Sequence, residues 1–193
     1  MDDEDEFLLQ LARSIQAWLW IEAELYRLYA MLMQGANSHL VSVTFNNIQS
    51  VDAKLCLLNS CFALVFGRGS DEIKEWKALF SKIEKLNKKR NKIVHEPVSI
   101  LHSKGKRTIS LSPSHMNAMA LVKGQTTHKG GPVVSATYDP RAAKLLEDHR
   151  MDLNALYSLE RVFKTASDEL RTFQKKVSPA VATALKAKKV SQT

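Results

Sequence analysis

Apolar residues recur at intervals of three and four through most of this chain, and that periodicity is its most constraining feature. Leu8, Leu11, Ile15, Trp18, Leu19, Leu25, Tyr29 and Leu32 form one such series, the mark of a long amphipathic helix with a face that must be buried. Gly35-Ala36-Asn37 ends it, with Gly35 suited to a helix cap. Ser38 can cap a second helix with the stripe Val41, Phe45, Ile48, Val51, Leu55, Leu58, Phe62 and Val65, broken at Gly67-Arg68-Gly69. Ser70 followed by Asp71 and Glu72 opens a third helix, where carboxylates favour the positive end of the dipole. Its stripe runs Ile73, Trp76, Leu79, Phe80, Ile83, Leu86, Ile93 and Val94 to a stop at Pro97. Asp139-Pro140 predicts the start of a fourth long helix through Leu145, Leu153, Leu156, Phe163, Leu170 and Phe173. Four long helices with one apolar face each bury that face against one another, so the expected fold is all-α, an antiparallel four-helix bundle.

Residues 98–138 interrupt the pattern. They lack a helical period and hold Gly105, Pro113, Gly124, Gly130, Gly131 and Pro132. The alternation Thr108-Ile109-Ser110-Leu111 and the pair Val133-Val134 suggest short strands, so a long loop or small β-hairpin insertion is expected before the last helix. Residues 175–193 carry Lys175, Lys176, Lys186, Lys188 and Lys189 without an acid and read as a frayed basic tail. The 193 residues suit one domain.

Charge narrows the partners. The formal net charge is +8, distributed as −4 over residues 1–70, +3 over 71–97, +5 over 98–138 and +4 over 139–193. A basic C-terminal side favours a polyanion, with nucleic acid foremost, because basic groups release counterions from phosphates. The same charges also read as a solvated face of a soluble bundle. Cys56 and Cys61, the two cysteines, fit neither a disulfide framework nor a thiolate metal site and read as core residues in a reducing cytosol. No apolar run suits a membrane span, and the acidic start Asp2-Asp3-Glu4-Asp5-Glu6 is the reverse of a signal sequence, so a cytoplasmic protein with no membrane partner is expected.

Chemistry concentrates in Lys89-Arg90-Asn91-Lys92-Ile93-Val94-His95-Glu96-Pro97. At about 100° per residue Arg90 falls within the apolar stripe between Ile83, Leu86 and Val94, where an arginine needs a partner. Asn87, Asn91 and His95, spaced by four, line one flank of that stripe, with Glu84 on the same edge. Arginine can neutralise charge on phosphodiester oxygens, and histidine can move protons to or from a ribose hydroxyl, without metal. Arg90 and His95 point about 140° apart on one helix, so two copies across a twofold axis would be needed to bring both types of group to one cleft. Lys88 and Lys92 beside the pair, and Lys104, Lys106 and Arg107 in the insertion, are candidate contacts for the RNA backbone.

Arg90-Asn91 followed by His95 resembles the Arg-x4-6-His motif of the HEPN superfamily, with the four-residue spacing and the asparagine common after the arginine. The resemblance covers the helical pattern of residues 7–174, its specific part being those six positions. It implies a dimeric four-helix bundle and, in active members, metal-independent RNA cleavage by Arg90 and His95 of both protomers, with Asn91 orienting either group or substrate. Active members include toxins and abortive-infection proteins; others bind or scaffold. An antitoxin or nucleotidyltransferase-type partner protein is therefore also expected as a possibility of the family. Pro97 stands where some toxin subfamilies place a tyrosine two residues after the histidine.

Structural roles compete with these. Glu22, on the stripe of the first helix, and Asp52, on that of the second, are candidate ion-pair partners that would hold Arg90 inside the bundle. His95 can simply complement its helix dipole. His149 reads as a packed or interface residue, and His39, His102, His115 and His128 have no ligand spacing, so no metal or cofactor is expected. Trp18, Trp20 and Trp76 read as core or dimer-interface anchors. No Walker loop, dinucleotide motif or serine elbow is present, which removes support for nucleotide hydrolysis, hydride transfer and acyl transfer.

Overall fold

The computed structural model describes residues 2–103, 106–111, 125–128, 131–134 and 150–190. Helix dominates: α1 is Asp3–Leu32, α2 Ser38–Asn46, α3 Val51–Phe66, α4 Asp71–His95 and α5 Leu153–Val190. Two antiparallel hairpins complete the described elements, β1 (Val98–Ser103) with β2 (Lys106–Leu111) and β3 (Gln125–His128) with β4 (Gly131–Val134). The chain groups into two compact units. One comprises Met1–Ala12 and Asn91–Ser158, the other Arg13–Arg90 and Leu159–Thr193.

The larger unit is built by helix caps and aromatic packing. Asn37, rather than Ser38, caps α2: its Oδ1 accepts from the backbone N–H of His39 at 2.9 Å and Leu40 at 3.2 Å. The expected second helix is two helices. Asn46-Asn47 are poor helix formers, and Ser50 Oγ accepts from Ala53 N at 3.4 Å to restart the chain as α3. Gly67, at φ 81°, closes α3 in a conformation a side chain disfavours. Ser70 opens α4 as its sequence indicates, accepting from Ile73 N at 3.3 Å.

Inside this unit the Phe62 ring stacks on Trp76 at 4.8 Å and packs on Phe173 at 5.6 Å, while Trp18 meets Phe163 edge-on at 5.2 Å. These are fully buried rings from α1, α3, α4 and α5, each worth about 1.5–3 kcal/mol in transfer from water. Helix α1 buries Ala17, Ile21, Leu25, Leu28, Tyr29 and Leu32 here, together with the polar Ser14 and Glu24. Leu19, placed on the buried stripe by its spacing, is exposed. Polar residues on the burying face hide its true direction from a count of apolar residues alone. Helix α5 runs on to Val190 through Pro179, burying Val177 and Val181 and pairing Lys176 with Glu75, so the frayed tail expected from residue 175 is helix instead.

The smaller unit centres on the β1–β2 hairpin, in register from Val98 opposite Leu111 to Ser103 opposite Lys106. The β3–β4 hairpin pairs Gln125 with Val134 and His128 with Gly131, giving two hairpins where at most one was expected. Leu111 N donates to Met151 O at 3.0 Å and Met151 N to Leu111 O at 3.1 Å, tying the hairpin to the segment entering α5. Asp152 Oδ1 accepts from Ala155 N at 2.8 Å and caps α5. The helix expected from Asp139-Pro140 is therefore not continuous into α5, because Arg150–Asp152 are not helical; residues 135–149, His149 included, lie outside the described residues. Phe7, Ser110, Leu111 and Leu156 are buried, and Tyr157 Oη donates to Glu6 Oε1 at 2.9 Å.

Candidate functional site

Helix α4 continues unbroken through Arg90, Asn91 and His95 and ends before Glu96-Pro97. The residue before a proline is disfavoured in helical conformation, and Pro97 has no N–H to extend the ladder, which is why α4 stops here and the motif occupies its last two turns. The division between the two units falls within the motif, with Arg90 in the larger and Asn91 in the smaller. On that helix Arg90 follows Ile83 and Leu86, both buried, and is itself half-buried, while Asn91 and His95 are exposed. Of the two residues expected to end the buried stripe, Ile93 is 3% exposed and Val94 41%. Lys88 and Lys89 before the motif are exposed, and Lys92 within it is half-buried.

Asn87 is not part of an open polar edge. Its side chain is buried and Nδ2 donates to Asp52 Oδ1 at 3.1 Å, joining α4 to α3. The amide is thereby committed to a structural bond rather than held out to a phosphate. Asp52, one of the two carboxylates expected to hold Arg90, thus accepts from Asn87. Glu22, the other, receives Trp18 Nε1 at 2.7 Å and Lys54 Nζ at 3.1 Å. Lys54 was missed because charged residues are rarely buried and apolar spacing assigns them outward. It lies four residues before Leu58 and three after Val51, on the burying face of α3, and its ammonium also stands 5.3 Å from the Phe45 ring centre.

Lys106 and Arg107 lie on β2, opposite Ser103 and His102 in the hairpin register, while Lys104 lies outside the described residues. His39 is exposed at the start of α2, His102 and His128 lie on β1 and β3, and His115 lies outside the described residues. Among the described residues no group of three His, Cys, Asp or Glu side chains is arranged to hold a metal ion.

The cysteines and one tryptophan depart from their expected positions. Cys56 is exposed and Cys61 half-buried, rather than both in the core. Burial pushes the Cys61 thiol up from its ordinary value. The Tyr29 phenol is raised as well, by burial first and then by the nearby Cys61 charge. Trp18 and Trp76 are core residues, but Trp20 is 44% exposed. No helix among the described residues is long and apolar enough to cross a membrane. Comparison with protein-family models, with curated proteins and with solved structures finds no match to this chain.

Proposed function

We propose that this chain is a HEPN-like, metal-independent endoribonuclease of toxin or defence type, acting in the cytoplasm as a homodimer of four-helix bundles. The observation that carries the reading is the placement of Arg90-Asn91-Lys92-Ile93-Val94-His95 in the last turns of α4, with His95 and Asn91 exposed and Arg90 anchored at half-burial. A half-buried guanidinium is held in direction, which suits it to stabilise charge on the non-bridging oxygens. An exposed imidazole can reach substrate. Since the two groups point about 140° apart, Arg90 of one protomer works with His95 of the partner subunit at a twofold cleft.

In this mechanism the ribose 2′-oxygen attacks phosphorus as its proton passes to a base, the bond from phosphorus to the 5′-oxygen breaks, and that oxygen takes a proton. His95 serves one or both transfers, Arg90 stabilises the phosphorane charge and Asn91 orients either group or substrate. Products carry a 2′,3′-cyclic phosphate and a 5′-hydroxyl. The test is RNA incubation in chelator with wild type and His95→Ala, reading the 3′ ends. Cyclic phosphate from wild type alone is the expected result; cleavage that needs added metal, or equal cleavage by His95→Ala, overturns the mechanism.

A non-catalytic RNA-binding or protein-interaction module is the second reading, favoured by the half-buried position of Arg90, which also suits a structural arginine. Salt-dependent RNA binding without cleavage distinguishes it. An antitoxin or nucleotidyltransferase-type protein would be the partner that keeps an active form silent.

A further inference from the structure

A cavity of about 400 Å³ opens between the α1 and α5 segments of the larger unit, far in sequence from the Arg90–His95 motif. Its size falls in the range of about 300–1,000 Å³ usual for small-ligand sites. Trp20 and Ala23 give it an apolar wall, and Arg27, Lys164 and Arg171 bring three cations to it. Glu24 and Ser167 line the cavity with side chains 1% and 2% exposed.

The bonding of Glu24 is lopsided. Its Oε1 accepts from Arg27 Nη1 and from Arg171 Nε at 3.0 Å and Nη2 at 2.9 Å. Its Oε2 is buried with no hydrogen-bond partner among the described residues, and Ser167 Oγ is in the same condition. Buried polar atoms are ordinarily satisfied, and leaving one unmade costs free energy that a bound group can recover. Both residues line the cavity, so a ligand that draws either side chain outward can supply an N–H or O–H donor for Glu24 Oε2 and a further polar group for Ser167 Oγ.

The rest of the lining defines that ligand. The half-exposed Trp20 indole offers a flat face, over which Lys164 Nζ stands 5.8 Å from the ring centre. The ammonium is half exposed and also paired with Glu160, so it can swing toward an anion when a ring takes its place. Planar ring, hydrogen-bond donor and anionic group occur together in a nucleotide. We propose that this cavity binds one nucleotide unit, its base stacked on Trp20, a base or ribose donor on Glu24 Oε2, and its phosphate met by Lys164 with Arg27. Asp168, which pairs with Arg171 Nη1 at 3.4 Å, keeps that guanidinium at the rim. Free nucleotide and a nucleotide within single-stranded RNA share this chemistry, and the site does not depend on RNA cleavage by the α4 motif.

The test is equilibrium binding of the full chain to AMP, GMP, CMP and UMP, to adenosine, to inorganic phosphate and to a single-stranded oligoribonucleotide. At least one monophosphate should bind, about tenfold or more tightly than adenosine or phosphate alone. Trp20→Ala should weaken binding about tenfold and Trp20→Phe should largely keep it, since stacking needs a ring rather than an indole. Ser167→Ala should weaken it severalfold, and nucleotide binding in this cavity should be unchanged by His95→Ala. Competition by the oligoribonucleotide assigns the site to RNA, and its absence assigns it to free nucleotide. Failure of every monophosphate and of the oligonucleotide to bind, or unchanged binding by a folded Trp20→Ala protein, overturns the proposal. So does a Trp20→Ala effect confined to oligomeric state.

Discussion

Lys54 Nζ lies 3.1 Å from Glu22 Oε2, a charge pair joining α3 to α1 with both side chains largely removed from water. Trp18 Nε1 donates to the other oxygen of the same carboxylate at 2.7 Å. A buried pair is costly to break from one side, because the remaining charge keeps its desolvation penalty. Lys54→Met should therefore destabilise the protein by about 2–3 kcal/mol, and adding Glu22→Gln should recover a large part of that. Urea unfolding of both single variants and the double variant measures the coupling. Strict additivity would show that the pair contributes nothing.

His95 is exposed at the end of α4, so His95→Ala should leave the urea midpoint within about 0.5 kcal/mol of wild type. On the nuclease reading it should also lower RNA cleavage by about 10²-fold or more. A large stability loss would instead make His95 a structural residue.

Position on the buried face, not apolar character, sets the cost of truncation. Phe62→Ala removes a ring that touches Trp76 and Phe173 and should cost about 3–5 kcal/mol. Leu19→Ala, on an exposed side chain of α1, should change stability by less than about 0.5 kcal/mol. Thermal or urea midpoints for the two variants separate these values; comparable losses would mean that Leu19 is covered in solution.

Truncation after Gln174 removes the buried Val177 and Val181 and the Lys176–Glu75 ion pair. The exposed ion pair adds little, so the expected loss of about 3 kcal/mol or more comes from the two valines. A truncated protein as stable as the full chain would restore the picture of a frayed tail.

The raised Cys61 thiol and Tyr29 phenol make stability fall on the alkaline side. Each keeps its proton in the folded protein over a range where the unfolded chain has lost it, so the folded state binds more protons there. The loss begins as pH passes the unfolded thiol value of about 8.5 and deepens near the phenol value of about 10. Thermal midpoints between pH 7 and 10.5 should decline over that window, and Cys61→Ala should flatten its first part. Thiol labelling should modify exposed Cys56 before Cys61.

The helical periods, the Ser70 start, the Pro97 stop and the Arg90–His95 spacing were legible in the sequence because each depends on neighbours within one or two turns. Asn46-Asn47 and Ser50 carried a readable signal for the break between α2 and α3, but the apolar stripe running through Ile48 outweighed it. Tertiary structure alone decided which residues on a stripe are buried. Gln10, Ser14, Glu24, Lys54 and Asn87 went inside although their types favour water, whereas Leu8, Leu19 and Trp20 stayed outside. Polar groups enter a core when partners from other helices meet them, as Glu22 does for the Lys54 ammonium and Asp52 for the Asn87 amide N–H. Those partners lie 32 and 35 residues away, beyond the reach of any local pattern.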